Sequence, residues 1–293
     1  MDRFIEQRHA ARRPTESTDL RRVHRRKLRL VGGKGEPVHA IALPANVFQD
    51  VPGIQRDIGD VEGLAGDTRG VRFQHEPYGL ADVWPDKIRG KTRIANPGCY
   101  PSAALTAIAP LIAAKLVDLT QPIIIDAKSG VSGAGRGGSD NKFGYAEVNE
   151  DVMAYGLLKH AHVPEITSTV NALAAASNAR ISFTPHLIPM TRGILATCYF
   201  TGDTTTEACM DAARKFYAGR PFVRVTDKPP HTKWATGSNM VFLHYAAAPG
   251  GPVIALAAID NLGKGAAGQA VQNANLICGL DETAGIDGAS LWP

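Results

Sequence analysis

The stretch "ANPGCYPSAALTAIAPLIAAKLVD", residues 95–118, sets a cysteine between a glycine and a tyrosine, ahead of a long run of Ala, Leu and Ile. From Ser102 to about Val117 the apolar residues recur at helical spacing, and Pro110 is expected to kink the middle of this helix. The start of a helix favours the thiolate form of a nearby cysteine. Cys99 is therefore either a nucleophile or a buried inert thiol, and its partners must decide between the two.

The composition is that of an α/β protein with two ordinary domains. The chain has 293 residues, of which 44% are hydrophobic and 20% charged, and it is long enough to bury a sizeable core. Its longest apolar runs, such as "IAPLIAAKLV", are too short to span a bilayer, and the N-terminus lacks the apolar core of a signal peptide. We therefore expect a soluble, cytoplasmic protein without a membrane partner.

The cysteines do not indicate a metal centre or a disulfide framework. The four of them, Cys99, Cys198, Cys209 and Cys278, lie far apart in the sequence and form no CxxC pair. Zinc sites and disulfide scaffolds both need closer or more numerous cysteines than these. We expect four free thiols and no bound metal.

Positive charge is concentrated in the segment "RRPTESTDLRRVHRRKLRL", residues 12–30, while the rest of the chain is close to neutral. A basic arm of this kind can bind nucleic acid. Charge runs are more commonly solvated segments, however, and no aromatic residues are interleaved here for base stacking. We expect no nucleic-acid partner.

Strand and helix patterns alternate beyond the cysteine stretch, and several of the strands are joined as hairpins. This order predicts an α+β domain with a mixed or antiparallel sheet. A threonine is expected to cap the helix in "TTEACMDAARKFYAG". The predicted strands are "TRIANPG", "PIIIDAKSG", "ISFTPHLIPM", "GILATCYFTG" and the two in "MVFLHYAAAPGGPVIALAAID", and the other predicted helices are "PEITSTVNALAAAS" and "AAGQAVQNANLICGL".

Two histidines in "YGLLKHAHVPEI" are the nearest candidates for a partner of Cys99. His160 and His162 stand on either side of Ala161, so in an extended segment both imidazoles would point to one side. A cysteine with a histidine that takes or gives a proton is the minimal pair for acyl transfer. An HxH pair can also be a metal site or two surface histidines, and no third ligand stands at a standard zinc spacing.

A glycine-rich loop, "SGVSGAGR", residues 129–136, follows a predicted buried strand. Its backbone amides can cradle a phosphate, and Arg136 would add positive charge. The loop is neither a GxGxxG fingerprint nor a Walker loop, so a plain glycine-rich turn remains an equal alternative.

Five motifs occur in an order that resembles one enzyme family. They are "NPGCYPSAAL", "DAKSGVSGAGR", "KHAHVPEI", "FTPHLIPMTRGILAT" and "AIDNLGKGAAGQAVQNANLICGLDETAG". From about Tyr78 to the C-terminus, the chain resembles the N-acetyl-gamma-glutamyl-phosphate reductases of arginine biosynthesis, which are relatives of aspartate-semialdehyde dehydrogenase. The resemblance implies a Rossmann-like dinucleotide-binding domain, an α+β catalytic domain, NADP(H) as cofactor and a homo-oligomer, either dimer or tetramer.

The resemblance also implies roles for particular residues. Cys99 matches the nucleophile of the family, and His160 and His162 match its histidine pair, of which one member serves as the acid/base. Ala161 departs from the family, which usually has a basic residue there. The residues expected at the substrate are Arg192, Ser129, Tyr155 and Glu165, and those expected at the cofactor are Ser132, Gly133, Gly135, Asn261, Gly265 and Gly268.

The front of the chain departs most from the family pattern. The family opens with a strand, a glycine turn of the type GxTGxxG and a helix, whereas this sequence has only "LVGGKGE" at residues 30–36. We therefore expect a truncated or diverged dinucleotide-binding domain with weak NADPH affinity. The predicted domains are an N-terminal one at 1–95, a catalytic and oligomerisation domain at 96–265, and a C-terminal helix and tail at 266–293 that return to the first.

The expected activity is reduction of N-acetyl-glutamyl 5-phosphate by NADPH, through a thioester on Cys99, to N-acetyl-glutamate 5-semialdehyde and phosphate. Two alternatives stay open from the sequence. One is the sister reductase that uses a carrier-linked aminoadipyl phosphate in lysine biosynthesis. The other is a non-catalytic remnant that keeps the catalytic fold but does not bind NADPH.

Overall fold

The computed structural model of the chain describes residues 77–134, 145–176 and 178–291, together with the backbone of two short strands. These strands, β1 (Leu30–Val31) and β2 (Pro37–Val38), pair antiparallel. The predictions made for most of the basic segment, for the chain from 39 to 76 and for Gly135 and Arg136 fall outside the described residues, and they stay predictions.

The described residues contain a seven-stranded sheet and helices of very different length. The strands of the sheet are β3 (Ile123–Ser129), β4 (Met153–Ala154), β5 (Ile181–Leu187), β6 (Ile194–Thr201), β7 (Val223–Val225), β8 (Val241–Ala247) and β9 (Pro252–Ile259). The α-helices are α1 (Pro85–Ile88), α2 (Cys99–Ala113), α3 (Tyr145–Val148), α4 (His162–Ala174), α5 (Thr206–Phe216), α6 (Thr232–Ala235) and α7 (Gly268–Cys278).

The sheet is mixed, with the strand order β4-β5-β3-β6-β9-β8-β7. Strands β3 and β5 are parallel, because α4 carries the chain back between them, and β7 is parallel to β8. All other neighbouring strands run antiparallel, including the hairpin of β8 and β9. The predicted mixed sheet of the catalytic domain is confirmed.

One face of the sheet carries the hydrophobic core. Helix α2 is buried along most of its length and packs between the sheet and the two long helices α4 and α5. The inward residues of β3, Ile123, Ile125 and Ala127, contact this core, and they alternate with less buried residues as half-buried strands require. The sequence of α2 is apolar on all sides because the helix is surrounded.

On the opposite face of the sheet, the short helix α6 lies at one end, where Trp234 packs edge-on against Phe242 of β8. Ile124, Tyr199 and Ile254 lie side by side there, since Ile124 pairs with Tyr199 and Tyr199 pairs with Ile254 across β3, β6 and β9. Ile124 is 46% exposed, which is unusual for an isoleucine in an inner strand. This row is an apolar patch on the inner strands of this face, which we call the open face of the sheet, and it lies toward one end of those strands.

Helix α2 continues through Pro110, which has no N–H to donate to the carbonyl of Thr106 four residues earlier. The hydroxyl of Tyr217, which follows α5, donates to that carbonyl at 2.7 Å. Both residues are buried, so the carbonyl would otherwise be unsatisfied away from water. A tyrosine from another helix thus replaces the hydrogen bond that the proline removes.

The segment before Cys99 packs on α7. Ala81 and Ile88 form a small apolar cluster with Leu276 of α7. The side chains of Gln269 and Asn273, also on α7, both donate to the carbonyl of Gly79. The C-terminal helix thus contacts the chain before residue 95, and the predicted domains stay predictions.

Several element boundaries differ from the sequence predictions. Helix α2 begins at Cys99, three residues earlier than its apolar periodicity indicates, and ends at Ala113 rather than near Val117. The segment "TRIANPG" forms no strand, only an isolated bridge between Ala95 and Tyr78. The threonine cap of α5 is confirmed, because the side chain of Thr205 accepts from the N–H of Ala208. No described helix is long and apolar enough to cross a membrane.

Candidate active site

Cys99 is the first residue of α2, and the residue before it is held tightly. Gly98 caps the helix with extended backbone, and a Cβ at this position would lie 2.3 Å from Nε2 of His162. Only glycine therefore allows the imidazole to approach the chain beside the cysteine. This close approach puts His162 next to the thiol-bearing end of the helix.

The two histidines meet through a turn, not through an extended segment. His160 lies in the turn before α4, His162 is the first residue of α4, and their rings are 4.8 Å apart. The backbone N–H of His162 donates to Nδ1 of His160 at 3.2 Å. The prediction that both rings share one site agrees with this geometry, while the extended backbone that it assumed is wrong.

Two tyrosines line the same site, and one of them was not predicted. The hydroxyls of Tyr100 and Tyr155 are 2.9 Å apart, and the ring of Tyr100 stands edge-on to both His160 and His162. Burial raises the pKa of both phenols, that of Tyr155 to about 12, so both hydroxyls are protonated at neutral pH. The place of Tyr100 directly after Cys99 was the only signal in the sequence for its role.

Glu165 is a buried carboxylate at the start of α4. Its Oε1 accepts the backbone N–H of Gly98 at 2.9 Å and the hydroxyl of Tyr78 at 2.6 Å. It thereby ties α4 to the residue before Cys99. The structure thus engages Glu165, which we expected at the substrate, with the backbone that carries the nucleophile.

The thiol of Cys99 is less acidic than its helical position predicts. Its pKa is raised from 9.0 to about 12, chiefly by burial and to a lesser extent by the negative charge of Glu165, although the backbone N–H groups of Tyr100 and Cys99 act to lower it. Desolvation thus outweighs the helix terminus, which by itself favours the thiolate. A base must remove the proton before the sulfur can attack.

The glycine loop begins with a hydrogen-bonded corner. Ser132 lies in a short 3-10 turn, Val131–Ala134, and its hydroxyl accepts from Nδ2 of Asn261 at 2.9 Å. The Oδ1 of Asn261 accepts the N–H of Gly193 at 2.6 Å. The amide of Asn261, expected at the cofactor, is thus engaged inside the protein and joins the glycine loop to the start of β6.

Two further loop residues sit beside this corner. Ser129 ends β3 and donates to the carbonyl of Gly130 at 3.0 Å. A Cβ on Gly133 would lie 3.1 Å from the Ser129 hydroxyl, so the loop folds closely over the end of the strand. Ser129 and Gly133 are therefore neighbours, as a shared binding loop requires.

Gly265 touches the nucleophile directly. It lies in one turn of π-helix, Gly263–Ala267, which leads into α7, and a Cβ on it would lie 2.8 Å from Cβ of Cys99. A π-turn is a common feature of functional sites, and its insertion here was not predicted from the sequence. Gly268 packs instead against Asn239, whose Oδ1 would be 2.3 Å from an added Cβ, which explains why a glycine stands there.

A buried ion pair lies behind the π-turn, and it was also not predicted. The ammonium of Lys264 contacts the carboxylate of Asp82 and donates to Oε1 of Gln272 at 2.6 Å. All three side chains are fully or almost fully buried. The pair joins the chain before Cys99 to the turn that contacts Cys99, and a lysine in a glycine-rich sequence gave no signal for it.

Arg192, the remaining residue expected at the substrate, precedes β6 and is half-buried. Its Nε pairs with the carboxylate of Asp260 at 2.9 Å. In the parts of the chain that the structure describes, no cluster of three or more His, Cys, Asp or Glu side chains is arranged to hold a metal ion.

Comparison with known proteins assigns this arrangement to a family. A family profile described as semialdehyde dehydrogenase, dimerisation domain, matches residues 99–261. A curated N-acetyl-gamma-glutamyl-phosphate reductase from Bradyrhizobium sp. (strain ORS 278) is 67% identical over 254 residues, 86% of this chain and 77% of the relative. The chain belongs to the N-acetyl-gamma-glutamyl-phosphate reductase family.

Other relatives agree with membership of this reductase family. A protein of the same name from Methylobacterium sp. (strain 4-46) is 63% identical, over 78% of this chain and 70% of its own length. Among solved structures, aspartate semialdehyde dehydrogenase II from Vibrio cholerae superposes with a TM-score of 0.54 at 19% identity, over 68% of this chain and 67% of that one. The chain therefore shares its fold with this semialdehyde dehydrogenase over the superposed residues.

Proposed function

We propose that the chain reduces N-acetyl-glutamyl 5-phosphate with NADPH to N-acetyl-glutamate 5-semialdehyde and phosphate, as a step of arginine biosynthesis. The observation that carries the proposal is the position of Cys99, which opens a buried helix beside the imidazole of His162. Family membership supplies the substrate, and the local geometry supplies a nucleophile, a base and anchored cationic and hydroxyl groups.

The covalent step uses the sulfur of Cys99. The thiolate attacks the acyl carbon, the bond from that carbon to the phosphate oxygen breaks, and inorganic phosphate leaves with the bonding electrons. The product on the enzyme is a thioester. Bound NADPH would supply the hydride that reduces this thioester, and the resulting adduct releases the aldehyde and the free cysteine sulfur.

His162 is the residue that manages the proton in this proposal. The raised pKa of Cys99 means that the thiol must lose its proton to a nearby base, and the ring of His162 lies against the adjoining Gly98. His160 is then a positioning residue, because its Nδ1 accepts the backbone N–H with which α4 begins. Tyr100 packs on both rings and limits their rotation.

Anionic parts of the substrate require fixed positive or hydrogen-bonding groups. Arg192 supplies a guanidinium on the edge of the site, whereas the backbone N–H groups of residues 130–133 in the glycine loop already donate to backbone carbonyls. Tyr155 supplies a protonated hydroxyl beside Tyr100. These groups orient the acyl phosphate toward Cys99. Holding the acyl carbon close to the sulfur lowers the barrier to the attack.

The described residues near Cys99 are compatible with a nicotinamide cofactor. Oε1 of Gln269 and Oδ1 of Asn273 are buried on α7 without a hydrogen-bond partner in the described residues, and such acceptors suit an amide donor brought by a ligand. The backbone of Gly265 packs directly against Cys99, with no room for a side chain between them. We assign NADP(H) as the cofactor, with Gly265 and Gly268 at its reactive end and Ser132, Gly133 and Gly135 as candidates for its phosphates.

We further propose that two copies associate through the open face of the sheet. The row of Ile124, Tyr199 and Ile254 is apolar and lies on the inner strands of the sheet, and the matching family profile is described as a dimerisation domain. An exposed apolar patch of this kind marks an interface.

Biosynthesis of a small amino-acid precursor also favours the cytoplasm as the site of action.

Turnover by the purified chain tests the proposed function. NADPH oxidation should follow the addition of N-acetyl-glutamyl 5-phosphate, and carrier-linked aminoadipyl phosphate should be a much poorer substrate. Cys99→Ser should abolish the rate with the fold intact, because a serine hydroxyl is far less nucleophilic than a thiolate. Cys198→Ser is the matched control, because Cys198 is buried in the core. Retention of more than a few per cent of turnover by Cys99→Ser would contradict the assignment.

A further inference from the structure

Asp260 is a buried carboxylate that makes no direct contact in the reaction proposed above. It directly follows β9 and is fully buried. Its Oδ1 accepts the N–H groups of Leu262 and Gly263 at 2.9 and 3.1 Å, and its Oδ2 accepts the N–H of Gly237 at 2.6 Å. Three backbone donors therefore fix the orientation of this carboxylate.

Arg192 meets this carboxylate along one edge only. Its Nε lies 3.0 Å from Oδ1 and 2.9 Å from Oδ2 of Asp260. Within residues 77–134, 145–176 and 178–291, neither of the two Nη atoms has a hydrogen-bond or ion-pair partner, and the side chain is 36% exposed. The guanidinium is thus anchored at Nε and presents its terminal nitrogens outward.

The anchor is also connected to the nucleophile. The backbone carbonyl of Asp260 accepts the N–H of Gly265 at 2.9 Å, and Gly265 packs against Cβ of Cys99. On the other side, a Cβ on Gly130 would lie 2.6 Å from the backbone nitrogen of Arg192, so the main chain of Arg192 is held against the glycine loop. Asp260 therefore links the arginine to the turn that touches the cysteine.

We propose that Asp260 is a positioning residue that occupies Nε of Arg192 and reserves the two Nη atoms for one anionic group of the substrate, a carboxylate or a phosphate. This inference rests on the proposed function, because it places Arg192 at the acyl phosphate. It also makes a specific statement about residue 192. A lysine has a single ammonium, which Asp260 would capture, so lysine cannot serve both the anchor and the substrate.

The comparison of Arg192→Lys with Arg192→Gln tests whether Asp260 and the substrate bind different nitrogens of the guanidinium. Both variants should raise the KM for the acyl phosphate by a similar factor, about 10- to 100-fold, because each loses a charge-assisted pair of hydrogen bonds. If Arg192 were a simple cationic contact, Arg192→Lys would stay close to the parent chain while Arg192→Gln lost affinity. That result, or an Arg192→Gln variant with the parent KM, would overturn the proposal.

Asp260→Asn provides the second measurement. It keeps the shape of the side chain but removes its charge, and it should raise the KM about tenfold with a smaller change in kcat. In the Arg192→Gln background the same change should add little to the KM, because the group that it positions is gone. An effect of equal size in both backgrounds, or one confined to kcat, would indicate a merely structural role and contradict the inference.

Protection of Cys99 from iodoacetamide gives a readout that needs no turnover. N-acetylglutamate and inorganic phosphate, used as separate probes, should slow alkylation in the parent chain, and at least one of them should protect much less in Arg192→Lys and Asp260→Asn. Undiminished protection by both probes in these variants would overturn the proposal. A parent chain that is protected but never oxidises NADPH would contradict the proposed function alone.

Discussion

The thiol of Cys99 is protonated in the resting molecule, because burial, helped by the charge of Glu165, outweighs the first N–H groups of α2. The same carboxylate holds Gly98 in place. Glu165 therefore orders the site at the expense of thiol acidity, and the proton of Cys99 must be handled by a neighbouring histidine.

This electrostatic balance predicts the pH dependence of alkylation. The pKa of Cys99 is raised, so its rate with iodoacetamide should increase about tenfold per pH unit from neutral pH upward, until the pKa is reached. Glu165→Gln removes the negative charge and lowers that pKa, and the variant should react several-fold faster than the parent at pH 8. Peptide mass spectrometry resolves Cys99 from the other thiols. Glu165→Asp keeps the charge and is the control. Equal rates for Glu165→Gln and the parent chain would contradict the conclusion that the charge of Glu165 raises the pKa of Cys99.

The histidine pair should respond asymmetrically to substitution. His162→Ala should lose roughly 10²-fold or more in turnover, the scale of a lost general acid/base, since its ring lies beside the residue before Cys99. His160→Ala should chiefly raise the KM, because its contacts are to the start of α4 and to the ring of Tyr100. Steady-state kinetics over a pH series separate the two effects. Parent rates for both variants, or the larger loss in His160→Ala, would exclude this division of roles.

At the scale of elements, helix α2 depends on a hydrogen bond from outside itself. Tyr217 donates to the carbonyl of Thr106, which Pro110 leaves without its helical partner. Tyr217→Phe should therefore lower the free energy of unfolding by about 1–3 kcal/mol, the cost of a buried unsatisfied carbonyl. In a Pro110→Ala background the helix regains its own N–H donor at this position, so the same change should cost clearly less. Equal costs in the two backgrounds, measured by denaturant unfolding, would count against this explanation.

The sequence predicts the long elements well because their residues are regular. The alternation in "PIIIDAKSG" and the threonine ahead of α5 each have a local physical cause, and both are observed. Local patterns did not predict β4, β7 or the π-turn at Gly263–Ala267, since these are too short or depend on contacts with distant strands. The start of α2 at Cys99 likewise depends on Glu165 and His162, which lie far along the chain.

The site shows the same division between local and tertiary causes. Cys99 and the two histidines can be found from sequence, because nucleophile and base are distinctive residue types at distinctive positions. The raised pKa of Cys99, the anchoring of Arg192 by Asp260 and the buried pair of Lys264 and Asp82 cannot be found this way. Each of these three features arises from burial and from contacts between separate elements, so a local sequence pattern does not predict it.

At the scale of the whole molecule, the proposed association uses the open face of the sheet. Ile124→Glu places a charge at one end of the apolar row, and we expect it to shift the chain toward monomers, because a charge buried between two faces is costly. The position is exposed in the single chain, so the fold should tolerate the change. Leu280→Glu alters an equally exposed leucine away from the sheet and is the matched control. Sedimentation that finds the same assembly for all three proteins would exclude this face as the interface.

The covalent step on Cys99 can be measured directly, without cofactor. When the purified chain is mixed with N-acetyl-glutamyl 5-phosphate in the absence of NADPH, we expect stoichiometric release of phosphate and a mass increase of one N-acetyl-glutamyl group on the peptide that contains Cys99. The adduct should be absent from Cys99→Ser and should disappear when hydroxylamine cleaves the thioester. Release of phosphate without an adduct, or an adduct on Cys278 or another residue, would contradict the assignment of Cys99 as the nucleophile of an acyl-phosphate reductase.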